Sequence, residues 1–358
     1  TVVPLLVETA TKSAVQLAIL VAMASVTGIF APYISGMLSD KLGKRKPFVL
    51  FGSLAGAIFL FCLGFSSAYL EMFIFAFLFY FSMNFYQGSY YALMPEAVHK
   101  DQIGLVNGWG KLFYSVGGII VFGVGVSLFA INPALPLIVA GVVVIISNLI
   151  TVFGVKEDRS HMTKASSKIS FDFLKNVSAM KVFMTAFFLY LAYGLIMPYW
   201  LPYFEKANGF TSNDISLALV GFTVVGLILS VFIGMLCDRY NKQVILFIVC
   251  VIYFIGFLVG MFVMNLGMLW GFTIIFGLGF AVFQVVFYAL IPAVAPKERL
   301  GEYMGINNVF LCIPQIIGNL VAGSLMSSDM HLIFPLALIS IVVAALICGI
   351  GKMKFINE

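Results

Sequence analysis

Charge is what this 358-residue chain most lacks. Asp, Glu, Lys and Arg make up 10% of it, where a soluble domain carries about 25%. Hydrophobic residues make up 62% and the mean hydropathy is +1.09, which excludes a water-soluble globule. A soluble domain inside a larger membrane protein is excluded too, because the longest hydrophilic stretch runs only from Lys156 to Lys175. The five cysteines (Cys62, Cys237, Cys250, Cys312 and Cys348) show no CxxC spacing and mostly lie in apolar runs. They read as small buried residues, not as a disulfide frame or a metal site. There is no nucleotide-binding glycine loop, and three scattered histidines (His99, His161, His331) make no triad or ligand set. Neither an enzyme nor a metal ion nor any other cofactor is expected. The net charge of +5 calls for no nucleic acid, since the basic residues sit in short loops.

What is present is apolar sequence in runs of membrane length. A span needs about 20 largely apolar residues, and eleven runs qualify: 14–38, 48–68, 71–95, 104–130, 133–155, 177–204, 213–236, 243–265, 268–292, 302–327 and 332–352. Thr1 to Glu8 read as the tail of a further first helix, whose earlier part is absent, because Pro4 falls on Pro202 when the chain is shifted by 198 residues.

That shift recurs. Gly36-Met37-Leu38-Ser39-Asp40-Lys41 returns 198 residues later as Gly234-Met235-Leu236-Cys237-Asp238-Arg239. Tyr86 to Pro95 returns as Phe283 to Pro292 at an offset of 197, continuing through Lys100/Lys297, Gly104/Gly301 and Gly108/Gly305. Six spans separate the copies, an even number, so both halves cross the membrane in the same sense as a parallel repeat. The predicted organisation is an N-terminal bundle at 1–155, a linker at 156–176 with a short turn near Phe171 and Phe173, and a C-terminal bundle at 177–358. All but Lys12 and Lys206 of the twenty Lys and Arg residues lie on one side. The positive-inside rule makes that side cytoplasmic.

The loop Gly36-x-Leu38-Ser39-Asp40-Lys41-x-Gly43-Lys44-Arg45 between two spans resembles the signature of the major facilitator superfamily. The resemblance covers the whole chain except the missing start. It implies an all-α polytopic fold of two six-helix bundles about a pseudo-two-fold axis, with the first helix mostly outside this chain. It also implies that Asp40 faces the start of the eleventh helix, near Gly301 to Tyr303, where a carboxylate is favourable by about 0.3–1 kcal/mol. Lys41, Lys44 and Arg45 would steady the loop on carboxylates such as Glu96, and Gly36 and Gly43 would allow close packing and a tight turn. The gating set is therefore Gly36, Asp40, Lys41, Gly43, Lys44 and Arg45, with Asp238 and Arg239 in the second copy, where Asn241 replaces the glycine. Gly43-Lys44-Arg45-Lys46-Pro47-Phe48 looks like the Gly-Arg-Arg-Arg-Pro-Phe of sucrose- and maltose-type carriers. Gly301 to Gly305, with Asn308 and Pro314-Gln315, looks like the start of their eleventh helix. The span at 104–130, the fifth helix when the missing first one is counted, has Gly117-Gly118 but lacks the proline motif of drug–proton antiporters.

All fifteen acids fall in loops or at helix ends, so the pathway is read from neutral polar residues. Tyr80, Asn84, Gln87 and Tyr91 share one helical face, and Gln284 and Tyr288 repeat the last pair. Asn107, Lys111 and Tyr114 share a face in the fifth helix; Asn308, Gln315 and Asn319 do so in the eleventh; the seventh offers Tyr190, Tyr193 and Trp200, with Pro198 and Pro202 available to kink its outer end. The substrate candidates are Asn84, Gln87, Tyr91, Lys111, Tyr190, Tyr193, Gln284, Tyr288, Asn308 and Gln315. Each has a plainer role available, as an interhelical hydrogen-bonding or packing group; for Lys111, about 10 Å along its helix from Gly104, that role is snorkelling to the cytoplasmic surface. The expected function is secondary active transport of a small polar solute, first a sugar, by alternating access; the family resemblance alone implies a proton or sodium ion as the coupling partner. An exporter of amphipathic compounds and a non-transporting membrane sensor are the alternatives. The expected setting is the lipid bilayer of a bacterial plasma membrane, as a functional monomer, with both termini of the full-length protein cytoplasmic and no nucleic-acid partner.

Overall fold

The computed structural model describes residues 14–120, 126–156 and 172–355. Among these the regular structure is helical: α1 Ala14–Leu42, α2 Lys46–Gly64, α3 Tyr69–Glu96, α4 Ile103–Ile120, α5 Val126–Ile131, α6 Leu135–Gly154, α7 Val177–Ile196, α8 Trp200–Asn208, α9 Ser212–Arg239, α10 Lys242–Met261, α11 Leu266–Val294, α12 Leu300–Ser328 and α13 Ile333–Gly349. Nine helices among the described residues are long and apolar enough to cross a membrane. With no water in hydrocarbon, a chain this apolar satisfies its backbone internally, which favours helices throughout.

Nine of the eleven expected spans match single helices to within a few residues. The span expected at 104–130 is described as α4 and α5, with 121–125 between them outside the described residues. The span expected at 177–204 is not one helix. It ends at Ile196, passes through a 3-10 turn at Met197–Tyr199 and resumes as α8. Pro198 interrupts the hydrogen-bond ladder there, and Pro202 is tolerated because it falls in the first turn of the new helix. The linker holds a 3-10 turn at Asp172–Lys175; Phe171 and the segment matching Pro202 at the N-terminus lie outside the described residues.

The chain divides into two compact units. Unit 1 takes 1–98, 117–169 and 296–309; unit 2 takes 99–116, 170–295 and 310–358. Each therefore holds the start of a helix from the other sequence half: α12 begins in unit 1 and α4 in unit 2. In unit 1, α3 packs on α1 and α2, and α2 on α6. Small residues allow this closeness: Ser35 and Ser89 hydroxyls meet at 2.7 Å, and a side chain at Gly88 would strike the Pro32 carbonyl. In unit 2, α11 packs on α9 and α10, and α13 on α7 and α10. Its core is aromatic. Trp200 stacks on Phe272 at 4.7 Å between ring centroids, and Phe257, Phe276 and Phe334 surround them. Of the cysteines, Cys237, Cys250 and Cys348 are buried, and Cys62 and Cys312 part-buried.

Candidate functional site

The first charged loop is built at the end of α1. Gly43 adopts φ of +60°, a left-handed conformation that costs a glycine little. Its N–H donates to the Asp40 carbonyl and that of Lys44 to the Ser39 carbonyl, closing α1 with a Schellman motif. The chain then turns Arg45 inward, 1% exposed, while Lys41 and Lys44 stay exposed. The Arg45 guanidinium donates to the Ser39 hydroxyl at 2.6 Å and to both Glu96 carboxylate oxygens at 2.8 and 3.3 Å, and pairs with Asp40 at 2.5 Å. Burial disfavours its charge, but the Asp40 and Glu96 carboxylates more than offset that, so its pKa is raised and it stays protonated. Asp40 accepts the backbone N–H groups of Gly301 and Glu302 at 3.1 and 2.7 Å. Those N–H groups lie in the first turn of α12, where a helix supplies no acceptor of its own. Arg299 forks onto Glu302 in the same turn, at 2.6 and 2.7 Å. The approach needs glycine on both helices, because a side chain at Gly36 would run into the Gly301 carbonyl.

The second loop repeats the crossing. Asp238 accepts the N–H groups of Gly104 and Leu105 at 2.6 and 2.8 Å. These donors sit 197 residues before Gly301 and Glu302. A side chain at Gly234 would strike the Gly104 carbonyl, and Gly108 lies against Ser230 as Gly305 lies against Pro32 and Tyr33. The turn differs. Asn241, at the Gly43 position, keeps φ of −59° and accepts from the N–H groups of Gln243 and Val244, capping α10. Arg239 is exposed. Offset pairing of Asp238 with the start of α4 was available in the sequence, since Gly104 and Gly301 already stood in register.

The substrate candidates fall into separate groups. On α3, in unit 1, Asn84 donates to the Thr27 hydroxyl at 2.8 Å and the Ala24 carbonyl at 3.0 Å, an interhelical link to α1; Gln87 and Tyr91 are part-buried on the same face. Asn308, also in unit 1, bonds back to the Met304 carbonyl at 3.3 Å. Gln315, in unit 2, sits where α12 crosses α7 at Gly194.

In unit 2 several candidates meet. The Gln284 amide donates to the Tyr190 hydroxyl at 2.6 Å. Tyr190 lies 5.7 Å from Tyr193, which stacks on Phe280 at 4.9 Å. The Lys111 ammonium stands 5.1 Å over Phe280 and 4.8 Å over Tyr114. Phe280, Gln284 and Tyr288 form the part-open face of α11, a helix otherwise largely buried. The result is a continuous stripe with a cation at one end, rings in the middle and an amide–phenol pair at the other. Among the described residues, Lys111 is the only Lys, Arg, Asp or Glu more than two turns from a helix end. A charge at mid-membrane costs about 2.5–3.5 kcal/mol on insertion scales, and a cation–π contact returns about 0.5–2 kcal/mol. The sequence could show Lys111 and Tyr114 on one face but not the ring of Phe280, which comes from a helix about 170 residues away.

The sequence pattern of the Major Facilitator Superfamily matches residues 1–183 and again 182–355, one copy per half. The chain belongs to the Major Facilitator Superfamily. It is thus an integral, multi-pass membrane transporter and not an enzyme. An uncharacterized transporter of this type, MJ1560 of Methanocaldococcus jannaschii, is 33% identical over 153 residues, 42% of this chain and 38% of that protein. The quinolone resistance protein NorA of Staphylococcus aureus is 24% identical over 335 residues, 90% of this chain and 83% of NorA. Two solved superfamily-type structures share the fold. Human MFSD10 (TETRAN), an organic anion transporter, gives a TM-score of 0.75 at 15% identity, covering 91% of this chain and 82% of that one. The superfamily transporter FucP in its outward conformation gives 0.75 at 16% identity, covering 96% and 91%.

Proposed function

We propose that this superfamily member is a monomeric secondary active carrier that moves a small amphipathic organic solute by alternating access, coupled to a proton or sodium gradient. The observation that carries the reading is the pair of equivalent contacts, Asp40 on the start of α12 and Asp238 on the start of α4. Each ties a helix of one sequence half to a helix of the other through hydrogen bonds that break without breaking any helix. That is what a gate on the cytoplasmic side requires: contacts made in one state and released in the other. Gly36, Asp40, Gly43, Arg45 and Asp238 are its working parts; exposed Lys41, Lys44 and Arg239 serve orientation and lipid phosphate contact.

The solute site in this reading is the stripe of Lys111, Tyr190, Tyr193, Gln284 and Tyr288, with Asn84, Gln87, Tyr91, Asn308 and Gln315 as further candidates. Rings flank every polar group of the stripe, which suits a solute with a flat apolar body and polar ends. The similarity to a quinolone resistance protein over 90% of this chain is in keeping with that class. A second reading, a sugar, is favoured by Gln87 and Gln284, mid-helix amides at matching positions of the two halves, since amides exchange hydrogen bonds with hydroxyls and rings stack on sugar faces.

Uptake into proteoliposomes, with and without an inward proton or sodium gradient, tests both with labelled sugars and labelled aromatic solutes side by side. Gradient-stimulated movement of an aromatic solute that falls in Gln284→Ala is the expected result. Movement of a sugar alone selects the second reading, and movement of nothing under any gradient overturns transport.

A further inference from the structure

The geometry points to an organic anion as the solute: an aromatic body bearing one carboxylate, or a group of the same charge and shape, read by Lys111. This rests on the stripe being the solute site. Three observations carry it. Lys111 is the one charge set deep in a described helix, and among the described residues no carboxylate pairs with it; its partners are the Tyr114 and Phe280 rings. Rings hold an ammonium without neutralising it, so a net positive charge remains where water is scarce. An anion arriving with the solute cancels that charge, and a cation arriving there is repelled.

The second observation is access. Tyr114 is exposed and Lys111 is only half-buried, so this end of the stripe is not enclosed by the core. The third is what adjoins the cation. The Lys111 ammonium lies 5.1 Å from the Phe280 ring centre, and Phe280 stacks with Tyr193 at an interplanar angle of 17°. A flat ring whose carboxylate accepts from the Lys111 ammonium lies along that stacked pair. Its far edge then approaches the Gln284–Tyr190 pair, which offers donor and acceptor to a neutral polar substituent. The same arrangement disfavours lipophilic cations, whose charge meets Lys111 head-on.

The test is direct binding of labelled 2-naphthoate and of its neutral counterpart 2-naphthamide to the full chain in proteoliposomes, followed by uptake of both. Binding of naphthoate at least tenfold tighter than naphthamide is expected, with that ratio falling to within twofold in Lys111→Met and surviving in Lys111→Arg. A ratio near one in the unaltered protein, a ratio unchanged in Lys111→Met, or no naphthoate binding overturns the inference. If Lys111→Met fails to fold, the unaltered protein's ratio and its survival in Lys111→Arg still decide. Failure of the carrier reading looks different: selective naphthoate binding with no gradient-stimulated uptake removes transport and leaves the anion site standing. Uptake of sugars or lipophilic cations with no charge preference for naphthoate does the reverse.

Discussion

The two charged loops hold the same helix crossing by unequal means. Both place an aspartate on first-turn N–H groups of a helix from the other sequence half, and both bring glycine against glycine where the helices cross. The first loop adds a buried hub: Arg45 ties Asp40, Glu96 and Ser39 together, and Arg299 forks onto Glu302 beside it. The second loop keeps Asp238 near Lys242 but has Ala293 where the repeat puts Glu96, and Leu105 where it puts Glu302. The bare crossing is therefore the shared device, and the hub is an addition made once. A buried ion pair costs desolvation that its attraction only partly returns, but losing one partner is severe. The first crossing should then behave as a switch with strong positions, and the second should follow with weaker ones.

The largest effect expected is at Arg45. Arg45→Met leaves Asp40 buried beside Glu96 without a counter-charge and should cost about 3–5 kcal/mol, read as thermal unfolding in detergent. Lys242→Met, which removes the cation nearest Asp238, should cost about 1 kcal/mol or less. Equal losses would make the two loops the same after all. Next is Asp238→Ala, which strips two charge-assisted bonds and should cost about 1.5–3 kcal/mol, measured in the same melts. Gly36→Ala and Gly234→Ala sharpen the shared part: each drives a methyl into backbone, and each should cost about 1–3 kcal/mol and slow gradient-driven uptake alike. A harmless Gly234→Ala would mean that the second crossing is not under the same constraint. The smallest contrast is in the turns. Gly43→Val forces a left-handed branched residue and should cost about 1–2 kcal/mol, whereas Asn241→Gly should cost only a few tenths, because glycine is a fair helix cap.

Much of this was legible beforehand, for identifiable reasons. Span positions follow from hydropathy, and the parallel repeat from residues in register, such as Gly104 with Gly301. The contact of Asp40 with the start of α12 was expected only through the family resemblance. Arg45 was not distinguishable from Lys41 and Lys44. A run of cations reads as solvated, and only the left-handed turn at Gly43 aims one of the three inward. The break after Ile196 was signalled by Pro198 and Pro202, but its result, a separate short helix, depends on α8 finding its place in the aromatic core around Trp200. The Lys111 stripe depends on rings brought from α7 and α11, a long-range pairing that periodicity within one helix does not carry.

The most direct test of the gate is a distance. Spin labels at Lys41 and Glu298 report the first crossing, and labels at Arg239 and Asp101 the second; all four positions are exposed and match across the repeat. Pulsed dipolar spectroscopy in lipid nanodiscs should give a short and a long population for each pair. Asp40→Asn should raise the long population of the first pair, and the second pair should shift with it. A single short distance in both pairs, unmoved by Asp40→Asn and by every solute tried, would contradict a gate that opens at these two crossings.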